Sequence, residues 1–375
     1  MASTSFSILI DGKPPPAGVM DAIQEVEVDS SIDLASMFRI RIGIVQTEGG
    51  RSDWSVLARD VFKPLQALTV GVHLDATGGT TLINGYVSGL VATFADEAGR
   101  STLEVLGMDA TLLMNLEEKV RAWANLSDSD IATQVIAGYS GLSIKSDVQG
   151  VASSLTDPEG TPTQRATDIR FLRRLAQRHG FECHVQPGSD GSDTAYFGPP
   201  RLSAPYQAVL TVDGGAISNV SEFTVRYDML RPTTASASAI DVMSKSTQAV
   251  SVTSVGLDPL GKTDTLGRLR PAPLARPAQT GLMHSADLGA MAQAVVDRSS
   301  WALAAEGMVG PDVGVVRPGL PVNVRGAGVL FSGSWYVTRV THTLGGEGYV
   351  QRFRAQRNAL HATGQEGYRE DQDVA

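Results

Sequence analysis

Apolar and polar positions alternate along the first hundred residues, the two-residue period of strands with one buried face. Phe6, Ile8 and Ile10 open the series, and Asp11-Gly12 with Pro14-Pro15-Pro16 marks the turn after them. Phe38, Ile40 and Ile42 alternate with Arg39, Arg41 and Gly43, and Val70, Val72 and Leu74 repeat the pattern. A long hairpin is expected from Leu82 to Phe94, turning at Asp96-Glu97-Ala98-Gly99 and returning through Leu103 and Val105 toward Leu112. The period then becomes helical. Ser127 with Asp130 forms a capping box ahead of the stripe Ile131, Val135 and Ile136, with Gly138 or Gly141 as the stop. A second helix is expected from Thr167 to Gly180, with Ile169, Leu172, Leu175 and Ala176 on one face and Arg170, Arg173, Arg174 and Arg178 on another. A third is expected from Ser285 to Glu306 on Leu288, Met291, Val295, Ala302 and Leu303. Proline and glycine crowd the stretch between Val255 and Ser285, which reads as a loop.

The pattern also repeats itself. Leu82-Ile83-Asn84-Gly85-Tyr86-Val87 is similar to Leu330-Phe331-Ser332-Gly333-Ser334-Trp335-Tyr336-Val337, and each follows an alternating strand, at Leu68–Val72 and Leu320–Val324. Each continues as a hairpin closing at Asp109-Ala110 or Asn358-Ala359, 25 residues after Gly85 and 26 after Gly333. One extra residue would swap strand faces unless a bulge absorbs it, and the expected place is Ser334-Trp335. The pattern is that of a duplicated unit, or of two long glycine-containing hairpins alike by chance.

Composition narrows the function. With 375 residues the chain has room for two or three domains. Its 40 acidic against 31 basic residues, net −9, argue against binding nucleic acid by phosphate neutralisation. One cysteine excludes a disulfide framework or a multi-cysteine metal site. No apolar run reaches the ~18–20 residues of a membrane span, and the first residues lack the features of a signal peptide. A soluble protein made in the cytosol is expected.

Few motifs suggest chemistry. Gly256-Leu257-Asp258-Pro259-Leu260-Gly261-Lys262-Thr263 spells a phosphate-loop string after a strand-like run, the basis of an alternative reading as a nucleotide-binding enzyme. Pro259 removes a donor, however, Asp258 would face the phosphates, and Gly267, Pro271 and Pro273 break the helix such a loop needs. His179, Cys183 and His184 could suggest a metal or thiol site. On a strand Cys183 joins Phe181 and Val185 inside, His184 points outside, and His179 sits at a helix end. The arginines at 165, 170, 173, 174 and 178 could hold an anion or pair with acids. Trp54, Trp123, Trp301 and Trp335 form no stripe, which weakens a carbohydrate-binding tail-tip module. No catalytic, cofactor-binding or metal-ligating set is expected, and no enzyme.

Three stretches carry a family resemblance: Leu82–Val87 through Leu103–Ala110; Thr167–Ala176 through Gly180–Cys183; and Val316–Leu320 to Phe331-Ser332-Gly333, ending at Phe353–Leu360. In this order they resemble the phage late-control protein D family, the baseplate hubs of contractile tails, and the N-terminal hub part of type VI secretion spike proteins. The resemblance implies an α+β, β-rich chain of two tube-forming β-barrels joined by a helical and mixed insert, assembled as a homotrimeric ring with pseudo-sixfold symmetry. The expected parts are a first tube-type barrel at 1–112, a connecting part at 113–230, a linker loop and long helix at 231–306, a second tube-type segment at 307–362 with strands from 181–255 available to complete it, and an acidic polar tail at 363–375. The implied function is a structural hub in a phage tail or injection-system particle, joining the sixfold tube to the threefold spike. Implied partners are its own copies, a tail tube or tube-initiator protein, a separate spike protein and baseplate wedge proteins, with no membrane insertion or specific nucleic-acid binding. The hairpins 82–106 and 329–356 are the expected wall elements, and the net charge suggests an acidic channel lining.

Overall fold

A computed structural model describes residues 4–47, 53–74, 78–97, 99–151, 161–188, 190–240, 245–277, 285–346 and 348–364. Its alternating stretches form strands as the pattern requires: β1 (Thr4–Ile10), β2 (Ile23–Ser31), β3 (Met37–Gly43), β4 (Ala67–Leu74), β5 (Gly78–Thr93) and β6 (Thr102–Asp109). They lie side by side in the order β1-β4-β5-β6-β3-β2. Ile8, Val26, Val28, Ile40, Val70 and Val105 point to one face and are buried in a single core.

A mixed insert follows. It holds β7 (Glu118–Ala122), α1 (Asp128–Ala137), β8 (Ile144–Val148), β9 (Thr163–Thr167), α2 (Asp168–His179), β10 (Glu182–Pro187) and β11 (Asp193–Gly198). The capping box at α1 forms, with the Asp130 amide donating to Ser127 Oγ at 3.1 Å. Gly180 ends α2 at φ +69°, a conformation that disfavours any residue with a Cβ. Ile131, Val135, Ile136, Ile169, Leu172 and Leu175 share the core of the insert with Cys183 and Phe197.

The strand plan then returns. β12 (Val209–Thr211), β13 (Val220–Tyr227), β16 (Leu303–Val309), β17 (Pro321–Arg325), β18 (Gly333–Gly345) and β19 (Gly348–Arg357) take the order β12-β17-β18-β19-β16-β13. Rank by rank this is the order of the first six. The irregularities coincide too. The second strand of each run shifts register against the third, between Ile23 and Glu25 and between Val220 and Glu222. The fifth shifts against the sixth, between Val87 and Gly89 and between Val337 and Arg339. The bulge therefore belongs to both copies, at Ser88 and Thr338, and not at Ser334-Trp335. Aligning the bulges brings Tyr86-Val87 onto Tyr336-Val337. Two differences remain: β4 shifts register against β5 between Val70 and Gly71 with no counterpart between β17 and β18, and β1 runs antiparallel to β4, whereas β12 runs parallel to β17.

The runs do not close into two barrels. Closure of the first would need β1 bonded to β2, but β2 gives that edge to β18, Glu25–Ser31 pairing with Gly345–Arg339. The runs therefore merge into one 12-stranded sheet with no closed ring of strands among the described residues. Leu344 and Tyr349 cross the joint into the first core.

Residues 231–306 hold more than a linker and a helix. β14 (Thr234–Ile240) and β15 (Thr247–Val252) pair as a hairpin under α3 (Ser285–Ser300), with Ala235, Ala237, Leu288, Ala292 and Val296 in a small core. The helix ends at Ser300, not Glu306. Leu303, Ala305, Gly307 and Val309 alternate toward the second core as β16, because both edges of that strand are taken, by β13 and β19. Among the described residues no helix is long and apolar enough to cross a membrane. His284 and the tail from 365 onward lie outside the described residues.

Candidate functional site

The most extended chemical feature is the face of the sheet opposite the two cores. Residues directly across from one another share a face. Glu25 lies opposite Arg41 and Glu27 opposite Arg39. Arg41 lies opposite Glu104, Asp29 opposite Thr341, Thr341 opposite Arg352, and Glu306 opposite Arg354. Arg39 reaches Glu27 at 3.0 Å and Glu25 at 3.4 Å, and Arg354 reaches Glu306 at 2.9 Å. Across the joint between the runs, the Arg339 guanidinium forks onto both carboxylate oxygens of Asp29. Glu222, Arg226 and Arg339 complete the set. Carboxylates (25, 27, 29, 104, 222, 306) and guanidiniums (39, 41, 226, 339, 352, 354) are equal in number. Each exposed pair contributes little stability. Together they make a charged, nearly neutral lattice, interrupted by Met37, Leu106 and Met108 on the same face.

Strand edges are the second feature. β5 bonds β4 through Gly78–Tyr86 and β6 through Gly85–Thr93, so its far half, Ser88–Thr93, has a partner strand on one side only. Among the described residues β13 bonds β16 alone. Leu90, Val91 and Phe94, 45%, 46% and 56% exposed, lie at the first of these edges.

The remaining candidates resolve into structure. Cys183 is buried with Val185, and burial pushes its thiol up to about 12. His184 is also buried, contrary to the expected outward orientation. The second face of β10 is covered by Tyr196, whose ring lies 5.4 Å away, and by Tyr336 of β18, which donates to the neighbouring Glu182 at 2.8 Å. Burial, aided by Arg201 and Arg173, drives the His184 imidazole down to about 3, so it stays neutral. His179 ends α2 and ties it to Asp128 in the first turn of α1 at 2.7 Å. The arginines diverge: Arg178 goes to Asp128, Arg170 to Glu118, and Arg174 to the Thr163 carbonyl and the Phe171 ring. No single anion site collects them.

The phosphate-loop string is spent on the fold. The Gly256 amide donates to Asp297 at 2.6 Å, the Leu260 amide to Asn358 at 2.9 Å, and the Lys262 amide to the His361 carbonyl at 2.9 Å. Thr263-Asp264 pairs as a short strand with Ala359-Leu360 where a phosphate loop would open a helix. Those amides diverge to separate protein acceptors and make no phosphate cradle. Trp123, Trp301 and Trp335 are buried, and Trp54 packs on Phe94.

Two basic clips, at half-buried Arg317 and buried Arg357, have no signal in the sequence. Arg317 donates to the Thr81 carbonyl at 2.9 Å and the Pro187 carbonyl at 3.3 Å, tying the second run to the first and to the insert. Arg357 donates to the carbonyls of Leu260, Phe331, Ser332 and His361. Neither is visible locally, because all their carbonyl partners but His361 lie 25 or more residues away in sequence.

Glu182 gives a pH signature. Burial raises its carboxyl to about 8, opposed by the Tyr336 hydroxyl and reinforced by Asp33. The unfolded chain releases this proton near the ordinary value of 4.5, so stability present in full below that pH is lost as pH rises toward 8. Buried His184 acts below 6.5 and Asp193 only up to about 6, while burial also raises the carboxyls of Asp109 and Asp33, so the Glu182 contribution is read as the difference between wild type and variant. Thermal unfolding between about pH 6.5 and pH 8.5 is expected to show a falling midpoint in the wild type and a flatter one in Glu182→Gln, whose amide oxygen still accepts from Tyr336. Parallel curves would contradict the assignment.

This fold, a strand plan used twice around a mixed insert, is similar to those of solved phage tail proteins. The fold matches a tail protein from Neisseria meningitidis at TM-score 0.65 and 15% identity, covering 95% of this chain and 97% of that one. It matches the prophage MuSo2 43 kDa tail protein from Shewanella oneidensis at TM-score 0.66 and 15% identity, covering 96% and 100%. A type VI secretion component from E. coli, described as structurally similar to T4 bacteriophage tail proteins, matches at TM-score 0.57 and 13% identity, covering 97% and 79%. The resemblance to tail hubs and type VI spike proteins is thereby borne out in the fold. The chain belongs to the family described as the Alg8 N-terminal domain, whose model matches residues 1–346. No curated protein matches it.

Proposed function

We propose that the chain is a structural baseplate hub of the late-control protein D type, acting by assembly and not by catalysis. Three copies form a ring that adapts a sixfold tail tube to a threefold central spike and walls part of the channel. One observation carries this reading: the six-strand plan and two of its bulges occur twice in one chain, so three chains present six similar units. The two runs act as the tube-type units even though neither closes alone, and the mixed insert joins them. Tube or tube-initiator protein stacks on one side, and spike and wedge proteins contact the other, within a phage or injection-system particle.

The charged sheet face is the surface suited to line the channel. On that assignment the wall is of mixed sign, not acidic, because arginines match the carboxylates strand by strand. Such a wall still discourages sticking, since its carboxylates and guanidiniums balance and several of them are paired. Light scattering is expected to return three times the chain mass, and negative-stain images to show threefold rings with a central hole. A monomer that persists at high concentration would overturn the reading.

A further inference from the structure

We propose that the open edge of β5, Ser88–Phe94, pairs antiparallel with the open edge of β13 in a second copy of this chain, in the register of the internal β2–β18 joint. This rests on the hub reading above. The argument is one of equivalence. Within the chain, the second strand of run one bonds the fifth strand of run two. The mirror relation would bond the second strand of run two, β13, to the fifth strand of run one, β5. Among the described residues both of those edges are open, as are the outer edges of β1 and β12, and only β5 and β13 stand in the relation of the internal joint; within one chain they do not meet.

The bulges fix the register. Asp29 pairs with Thr341 and Val28 with His342 at the internal joint. Carried through the aligned bulges, Arg226 faces Val91, Val225 faces Ala92, Phe223 faces Phe94 and Tyr227 faces Leu90. The faces agree without adjustment. Phe223, Val225 and Tyr227 point toward the second core, as Val26 and Val28 point toward the first. Leu90 and Phe94, now exposed, would continue that apolar layer across the joint, as Leu344 does inside the chain. An open strand edge with exposed apolar side chains is a surface that must be covered. A head-to-tail joint of this kind generates a closed ring or an open filament, depending on its rotation.

Cysteine pairs test the register. Facing residues on antiparallel strands have Cα atoms about 4.5–5.5 Å apart, within disulfide range. Cys183, the native cysteine, is buried and contributes little background. Val91→Cys with Arg226→Cys in one chain is expected to oxidise to a covalent trimer on a non-reducing gel. Val91→Cys with Thr224→Cys, displaced by two residues, and Val91→Cys alone are expected to stay single-chain. Leu90→Glu, at a site exposed in the monomer, is expected to abolish the trimer in light scattering while leaving the monomer folded by circular dichroism. A trimeric particle that does not cross-link at 91/226, or that survives Leu90→Glu, overturns this pairing and leaves the hub reading intact. A wild-type chain that stays monomeric overturns both. A covalent ladder extending beyond three chains would uphold the pairing and overturn the ring.

Discussion

Arg357→Met is expected to destabilise the chain by about 3–5 kcal/mol, the scale of leaving several buried polar groups without partners. Arg357 is fully buried at the end of β19. Its guanidinium donates to the carbonyls of Leu260 at 2.9 Å, Ser332 at 2.9 Å, His361 at 3.0 Å and Phe331 at 3.2 Å. These carbonyls belong to three separate segments: the loop after β15, the turn before β18 and the chain after β19. Methionine replaces most of the volume and none of the donors, so the loss isolates the hydrogen bonds from the cavity. Arg357→Lys is expected to recover little, because one ammonium cannot reach the diverging acceptors that a planar fork holds. Thermal unfolding is expected to register a drop on the order of 5–10 °C for a chain of this size. A Met variant within about 1 kcal/mol of wild type would mean that the carbonyls find other donors.

What was legible in the sequence was what neighbours in the chain decide. The Ser127–Asp130 box and the Gly180 stop are local chemistry, and both stand where expected. The alternation at Phe38–Ile42 and Val70–Leu74 needed only one buried face to be read. Leu303–Glu306 is expected as helix because leucine, alanine and glutamate suit one, and only pairing such as that of Leu303 with Tyr227 and Arg357 makes it a strand. His184 was placed outside by an alternation that is itself correct. Its second face is buried because Tyr336, far along the chain, packs there. The repeat was visible as similar words, but its bulges were not, since a bulge at Ser88 or Thr338 is a property of two strands in register. The open edges of β5 and β13 are further removed still. They are defined by which strands fail to meet, and no local pattern encodes that.

Gly107→Ala is expected to cost about 2–4 kcal/mol, well beyond the propensity difference between the two residues, because the space a Cβ would take is already filled. Phe38 of β3, 2% exposed, lies opposite Gly107 of β6, with its ring turned across the glycine. A Cβ on Gly107 would stand 2.1 Å from Phe38 Cζ and 2.6 Å from the Tyr86 carbonyl oxygen, and one on Gly85 would stand 2.9 Å from the same ring. Ring and backbone must therefore separate, or the ring must leave the core. The second run repeats the device with the partners exchanged: a Cβ on Gly307 of β16 would meet Phe353 of β19 at 2.5 Å. If the ring is the obstacle, Phe38→Leu should absorb part of the cost. The Gly107→Ala/Phe38→Leu double variant is then expected to be more stable than the sum of the singles by at least about 1 kcal/mol. The remainder is the clash with Tyr86, which no side-chain change relieves. Gly79→Ala on β5, where the nearest atom is 3.4 Å away, serves as the control and is expected to fall within about 0.5 kcal/mol of wild type. Chemical denaturation of the four variants measures the cycle. Additivity within about 0.5 kcal/mol would show that Phe38 is not what Gly107 accommodates. The same coupling at Gly307 and Phe353 would show that both runs hold their third and sixth strands together by one aromatic ring laid over a glycine.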